Sequence, residues 1–241
     1  METIASRIYK PAEFSAGQVH EMLVTLGRKG FSPEMAAEIA NTKSGKAEQI
    51  VRLFQCVPTI QNLVGDHQIF YHQFFNLDLD FSGIRIPNHQ PGFDRLIIVA
   101  QGLTAQQVYD VCSQHFKCWK YTDKSLDEAV PTHDRDSKDG HYAIWVRNRV
   151  EADEELKNLS ADEIKEKKLT TETLPERLLH ELKFWSETKN HLDRDNTTLC
   201  SGSRDQDGSV PHARWCRDQF RVDWCYSDSS SSDLRSRQAV S

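Results

Sequence analysis

Arg147, Arg149, Ser203, Arg204, His212 and Arg214 are the residues of this chain whose types suit chemistry on an anionic group. Guanidinium forks hold phosphate or carboxylate in paired hydrogen bonds, imidazole moves a proton near neutral pH, and a hydroxyl beside a base is a nucleophile. If the stretch 142–149 is extended, alternation puts Ala143, Trp145, Arg147 and Arg149 on one side. Two arginines beside an indole can grip a phosphate while the ring stacks on a base. Arginine stems laid over an aromatic at a sheet edge give the same pattern and are the commoner case. Farther on, Ser201, Ser203 and Arg204 approach the turn at 205–208, and His212, Arg214 and Asp223 follow. Serine, histidine and aspartate are all present, yet Gly202 alone does not build the elbow that exposes a nucleophilic serine. A hydrolytic triad is not expected.

Metal ligands are poorly spaced. Cys112, His115 and Cys118 stand three apart and His67 and His72 five apart, with no paired Cys knuckle and no HExxH helix. Cys112 and His115 share a helical stripe with Val108 and Val111, which is the place of a core thiol. Cys200, His212, Cys216 and Cys225 would have to converge across adjacent strands, which leaves a structural zinc as an alternative. Neither a phosphate-binding loop nor a dinucleotide fingerprint occurs, so no cofactor is expected.

A second surface is carried by Lys43, Lys46, Gln49 and Arg52, which recur every three residues and so share one face of a helix. Set against a groove, lysine and arginine would meet phosphates and glutamine an adenine edge. Glu34, Glu38 and Glu48 dilute the basic character, and a solvated helix face is the competing account.

Helical period governs the first 76 residues. Ser15 with Gln18 forms a capping box, Phe14 and Val19 a hydrophobic staple, and Val19, Met22, Leu23 and Leu26 one apolar stripe. Ser32 with Pro33 opens a second helix, Ser44 a third, and residues 59–76 read as a further helix or helix pair. From Leu77 the period becomes two, Leu77, Leu79 and Phe81 alternating with Asp78 and Asp80 as in a half-buried strand. Residues 95–100 read as a central strand, Thr104 with Gln107 caps a helix, and residues 131–140 read as a loop. Thr173 with Glu176 opens a helix with the stripe Leu174, Leu178, Leu182 and Trp185. Strands follow near 197–203, 210–216 and 220–226, with a last short one within 234–240. The expected fold is therefore α+β: a helical domain over 1–76, then a mixed domain over 77–241 ending in an antiparallel meander.

The helices at 15–27, 32–40 and 44–55 resemble a helix-turn-helix core, which would imply DNA contact. Gly30-Phe31 and the run Gly45-Lys46-Ala47-Glu48-Gln49-Ile50-Val51 also look like a ubiquitin-associated three-helix module, which would imply protein or peptide binding. The stretch 142–192, with 198–204 and 234–237, resembles a group of bacterial proteins without an assigned activity; it implies that about the last 100 residues form one recurring unit.

At 241 residues, 38% hydrophobic and rich in aromatics, the chain can bury two ordinary cores. A net charge of −6 argues against coating nucleic acid or anionic membrane wholesale, while leaving room for a local basic patch. The longest apolar run, 96–100, is far short of a membrane span, and six scattered cysteines do not make a secreted disulfide framework. The expectation is a cytoplasmic protein that binds another macromolecule, DNA or protein, and no membrane, in an oligomeric state left open. The alternative is an enzyme acting on a phosphate- or carboxylate-bearing substrate through the Arg/His/Ser set.

Overall fold

The computed structural model describes residues 15–41, 45–47 and 60–241. It divides into two compact units, residues 1–59 and residues 60–241.

In the first unit, helix α1 (Ala16–Gly27) opens on the expected box. The Gln18 amide donates to Ser15 Oγ at 3.2 Å, and the Ser15 amide to Gln18 Oε1 at 2.9 Å. Helix α2 (Pro33–Ala40) has Ser32 accepting the Met35 amide at 3.3 Å. The stripe Val19, Met22, Leu23 and Leu26 is more than a third exposed at every position. Phe14 and most of the expected third helix lie outside the described residues, where only 45–47 represent it.

The second unit begins with a helix that the period of its sequence had assigned to the bundle. Helix α3 (Ile60–Phe75) is single, and its Phe70 and Tyr71 sit in the core of the larger unit. The Tyr71 hydroxyl donates to the Ile98 carbonyl at 2.8 Å and accepts the Ala100 amide at 3.0 Å. The compact units thus part before Ile60 and not after residue 76. The strand expected from Leu77 onward does not form: residues 76–80 pair with no ladder. Asp80 instead takes the Ser82 amide and hydroxyl at 2.8 and 3.0 Å, a local turn that competes with pairing. Phe81 is still buried, which is what the alternation recorded.

Three sheets follow. Strands β1 (Arg95–Val99), β4 (Tyr142–Val146) and β10 (Ala239–Val240) form the first, with β4 central and both neighbours antiparallel to it. The second has the order β2, β8, β7, β5, β9: β2 (Cys118–Lys120), β8 (Gln219–Cys225), β7 (Val210–Cys216), β5 (Thr197–Leu199) and β9 (Leu234–Arg235). Within it β7 runs antiparallel to both β5 and β8, and β2 and β9 add parallel edges. In the third, β3 (Thr132–His133), inside the stretch expected as a loop, pairs with β6 (Ser203–Arg204). The last strand expected within 234–240 is two strands in two different sheets, joined across residues 236–238.

Helix α4 (Ala105–His115) opens on Thr104 and Gln107 as expected, and α5 (Leu126–Ala129) follows it. Helix α6 (Ala161–Glu166) covers one end of the outer face of the five-stranded sheet, packing Ala161 with Leu199, Val210 and Leu234. Helix α7 (Leu174–Thr188) is buried on every side from Leu174 to Phe184, against α4, β1 and β7. On the sheet's inner face lie Ala213, Phe220 and Val222; alternation leaves His212, Arg214, Arg221 and Asp223 facing outward beyond the reach of α6.

Candidate functional site

The hairpin of β7 and β8 turns in two residues, Arg217 and Asp218, whose φ angles are +52° and +57°. Positive φ at both positions is the type I′ turn, one of the two whose twist matches the strands; glycine, asparagine and aspartate are the residues that accept it most cheaply. An arginine adopts this conformation less readily than glycine or asparagine does, and its side chain lines a cleft. His212, Arg214, Cys216, Arg217, Arg221 and Asp223 line that cleft of about 390 Å³.

Register places Arg214 directly opposite Arg221 and His212 directly opposite Asp223. Like charges facing across a ladder repel, so this pair costs stability unless something anionic sits between them. The internal carboxylates do little to relieve it. Arg214 reaches Asp233 only at 3.9 Å and Arg221 reaches Asp223 only at 4.0 Å, whereas Arg217 has no carboxylate within 4 Å among the described residues. Arg214 Nε and His212 Nδ1 are buried with no hydrogen-bond partner. Burial pushes His212 below the usual imidazole range, with Arg214 and Arg221 adding to the effect and Asp223 and Asp233 opposing it, so the ring is neutral at pH 7. Along the β2 edge, Trp119 pairs in register with Arg221, whose guanidinium lies 3.8 Å from the indole centroid. Tyr121, 69% exposed, follows with its ring 5.9 Å from Trp119.

Of the six residues singled out by type, only His212 and Arg214 meet in this cleft. Arg147 is engaged by Asp153 at 2.6 Å and lies over the Phe93 ring at 4.3 Å; Arg149 makes a two-pronged pair with Glu155 at 2.7 and 3.0 Å. Trp145 is buried and donates Nε1 to the Pro87 carbonyl, which leaves no face to stack on a base. Ser203 is 1% exposed and accepts the Leu174 amide at 2.8 Å, stabilising the start of α7. Its hydroxyl also lies 2.8 Å from His133 Nδ1, so the histidine beside this serine is not His212. Arg204 folds back onto the carbonyls of Ser201 and Ser203. The convergence that the zinc alternative would need is not present on this hairpin: Cys216 lies opposite Gln219 beside the turn, and Cys225 opposite Val210 at the far end. Cys200 is buried on the inner side, and among the described residues no three His, Cys, Asp or Glu side chains are placed to hold a metal. Lys46 pairs with Glu38 at 2.5 Å, while Lys43, Gln49 and Arg52 lie outside the described residues.

A second constellation has no counterpart among the residues picked by type. Around α7, Arg177 donates to Glu181 at 2.9 Å and to Asp193 at 2.8 and 3.0 Å. Arg237 donates to the other Asp193 oxygen at 2.5 Å and to the carbonyls of Arg149 and Val150, and Thr198 bonds Asp193 as well. His180 Nδ1 lies 2.8 Å from Glu172 Oε1. All these charged side chains are essentially without solvent contact. Two arginines against Asp193 and Glu181 balance in charge, which is the condition for burying them. Burial raises the Glu172 carboxyl to about 7, against the opposing pull of Arg237 and Arg177, and it drives His180 well below its usual range. The network holds α7, the 193–198 segment and the 236–238 segment together. Its only sequence signal is the Arg177, Glu181 spacing of four, which also describes an ordinary surface ion pair.

No family model, no curated protein and no solved structure matches this chain. Among the described residues no helix is long and apolar enough to cross a membrane.

Proposed function

We propose that this protein is a nucleic-acid-associated binding protein that holds a single strand across the outer face of its five-stranded sheet. One observation carries the reading: Arg214 and Arg221 face each other across β7 and β8 with no carboxylate closer than 3.9 Å to either among the described residues. A phosphate of the strand between them turns a repulsive pair into a bidentate clamp. Trp119 and Tyr121 stand on the adjoining strand edge, where bases stack without regard to sequence. The net charge of −6 is compatible with this because three arginines line one cleft and fields act locally. Against an enzyme weighs the separation of the chemical groups, since Arg147, Arg149, Ser203 and Arg204 are each occupied elsewhere.

Fluorescence anisotropy with a labelled single-stranded oligonucleotide tests the reading. Binding is expected at low salt, falling as salt rises with a log–log slope of about −2, the value for roughly three phosphates on a single strand. The double variant Arg214→Ala, Arg221→Ala is expected to weaken binding about tenfold or more. Equal binding by parent and double variant contradicts the assignment of this face.

A further inference from the structure

Resting on that reading, we infer that the cleft beneath the β7–β8 turn is a pocket for a terminal phosphate, a phosphomonoester at the end of a strand, and not for an internal phosphodiester. The first ground is charge. Arg214, Arg217 and Arg221 line the cleft against the single carboxylate of Asp223, with His212 neutral, which leaves about +2 to be balanced. A phosphomonoester carries about −1.5 to −2 at neutral pH, whereas a diester or a carboxylate carries one charge. Asp233, at 3.9 Å from Arg214, is exposed and outside the lining.

The second ground is the supply of donors. A terminal phosphate presents three free oxygens. Three guanidinium groups on two strands and their turn approach from different directions, which suits a group reached from several sides better than a chain passing through. His212 Nδ1 and Arg214 Nε are buried without partners in two of the residues that line the cleft, so its wall carries unmet polar capacity. At about 390 Å³ the cleft takes a phosphate with its sugar, and Trp119 beside Arg221 is placed to receive the terminal base.

The third ground is the backbone. A turn with positive φ at both Arg217 and Asp218 is held in a conformation that asparagine or glycine would adopt with less strain. The alternative that Arg217 is merely a solvated turn residue makes a different forecast: its replacement by asparagine would raise stability and leave binding untouched.

The test compares two oligonucleotides of identical sequence, one with a 5′-phosphate and one with a 5′-hydroxyl, by anisotropy on the full chain, with a phosphoserine peptide as a third probe. The parent is expected to bind the phosphorylated strand about tenfold tighter. Arg217→Asn is expected to erase most of that preference while raising the melting temperature, which a circular-dichroism melt reads independently of binding. Equal binding of both strands, lost together in Arg214→Ala, Arg221→Ala, overturns the terminal-phosphate assignment and leaves strand binding standing. Absence of binding to either strand overturns both. Tighter binding of the phosphoserine peptide than of the phosphorylated strand also overturns the assignment, moving the pocket to a protein partner. A phosphate preference that survives Arg217→Asn contradicts the role given to the turn.

Discussion

Glu172 is the residue whose ionisation decides most about the interior. Its carboxyl is fully buried and raised to about 7, burial being the largest cause. The folded protein therefore holds this proton more tightly than the unfolded chain does, where the carboxyl titrates near 4.5. Its contribution to stability is fully present below that unfolded value and is lost as pH rises through about 7. Glu172→Gln keeps the shape and cannot ionise, so the variant gains on the parent as pH goes from about 5 to about 8, by up to roughly 3 kcal/mol. Thermal melts of both proteins across that range check it. A stability difference that does not change with pH means that the carboxyl is not held in this way. His180 moves oppositely: its folded value is depressed, so its share is present above the ordinary imidazole range and lost on acidification.

At the scale of elements, the loop leading into β6 is pinned by contact with the segment that opens α7. A Cβ on Gly202 would lie 3.1 Å from Thr173 Cγ2 and 3.3 Å from the carbonyls of Thr171 and Glu172. Two of those atoms are backbone and cannot swing away, so Gly202→Ala is expected to destabilise by about 1–3 kcal/mol. Chemical denaturation reads this directly, and a variant as stable as the parent would mean that β6 and the 171–173 segment are free to part. The elements legible in the sequence were those fixed by neighbours in the chain. The boxes at Ser15, Thr104 and Thr173 need only residues three apart, and each helix begins where they place it. Period alone failed at 77–81, where alternation burying Phe81 was present but no partner strand was. It failed again at 234–240, because which sheet a two-residue strand joins depends on partners more than 30 residues away.

For the whole molecule, the same limit governs what could be read about the site. The types were legible: His212 and Arg214 were marked by composition alone, and the pairing of two arginines beside a tryptophan was the chemistry sought. It was sought on β4, where Trp145 is buried and Arg147 and Arg149 are engaged by carboxylates, and it occurs instead where β2, β8 and β7 meet. Arg214 and Arg221 meet across the β7–β8 hairpin, but Trp119 is about a hundred residues away and becomes their neighbour only through the parallel β2–β8 ladder, which no local pattern announces. Arg217 was hidden for another reason, since a turn without glycine or asparagine carries no signal of positive φ. The buried network around α7 was invisible because Arg237 comes from a segment far from the helix and Asp193 lies beyond its end, outside any helical spacing.

The account turns on the outer face of the five-stranded sheet being the surface that meets the ligand. Amide and indole NMR shifts followed during titration with a 5′-phosphorylated single strand address that face residue by residue. The changes are predicted to centre on Arg214, Arg217, Arg221 and the indole of Trp119, with the helices at 16–27 and 33–40 unmoved. Changes confined to those helices, with β7, β8 and Trp119 silent, would contradict it.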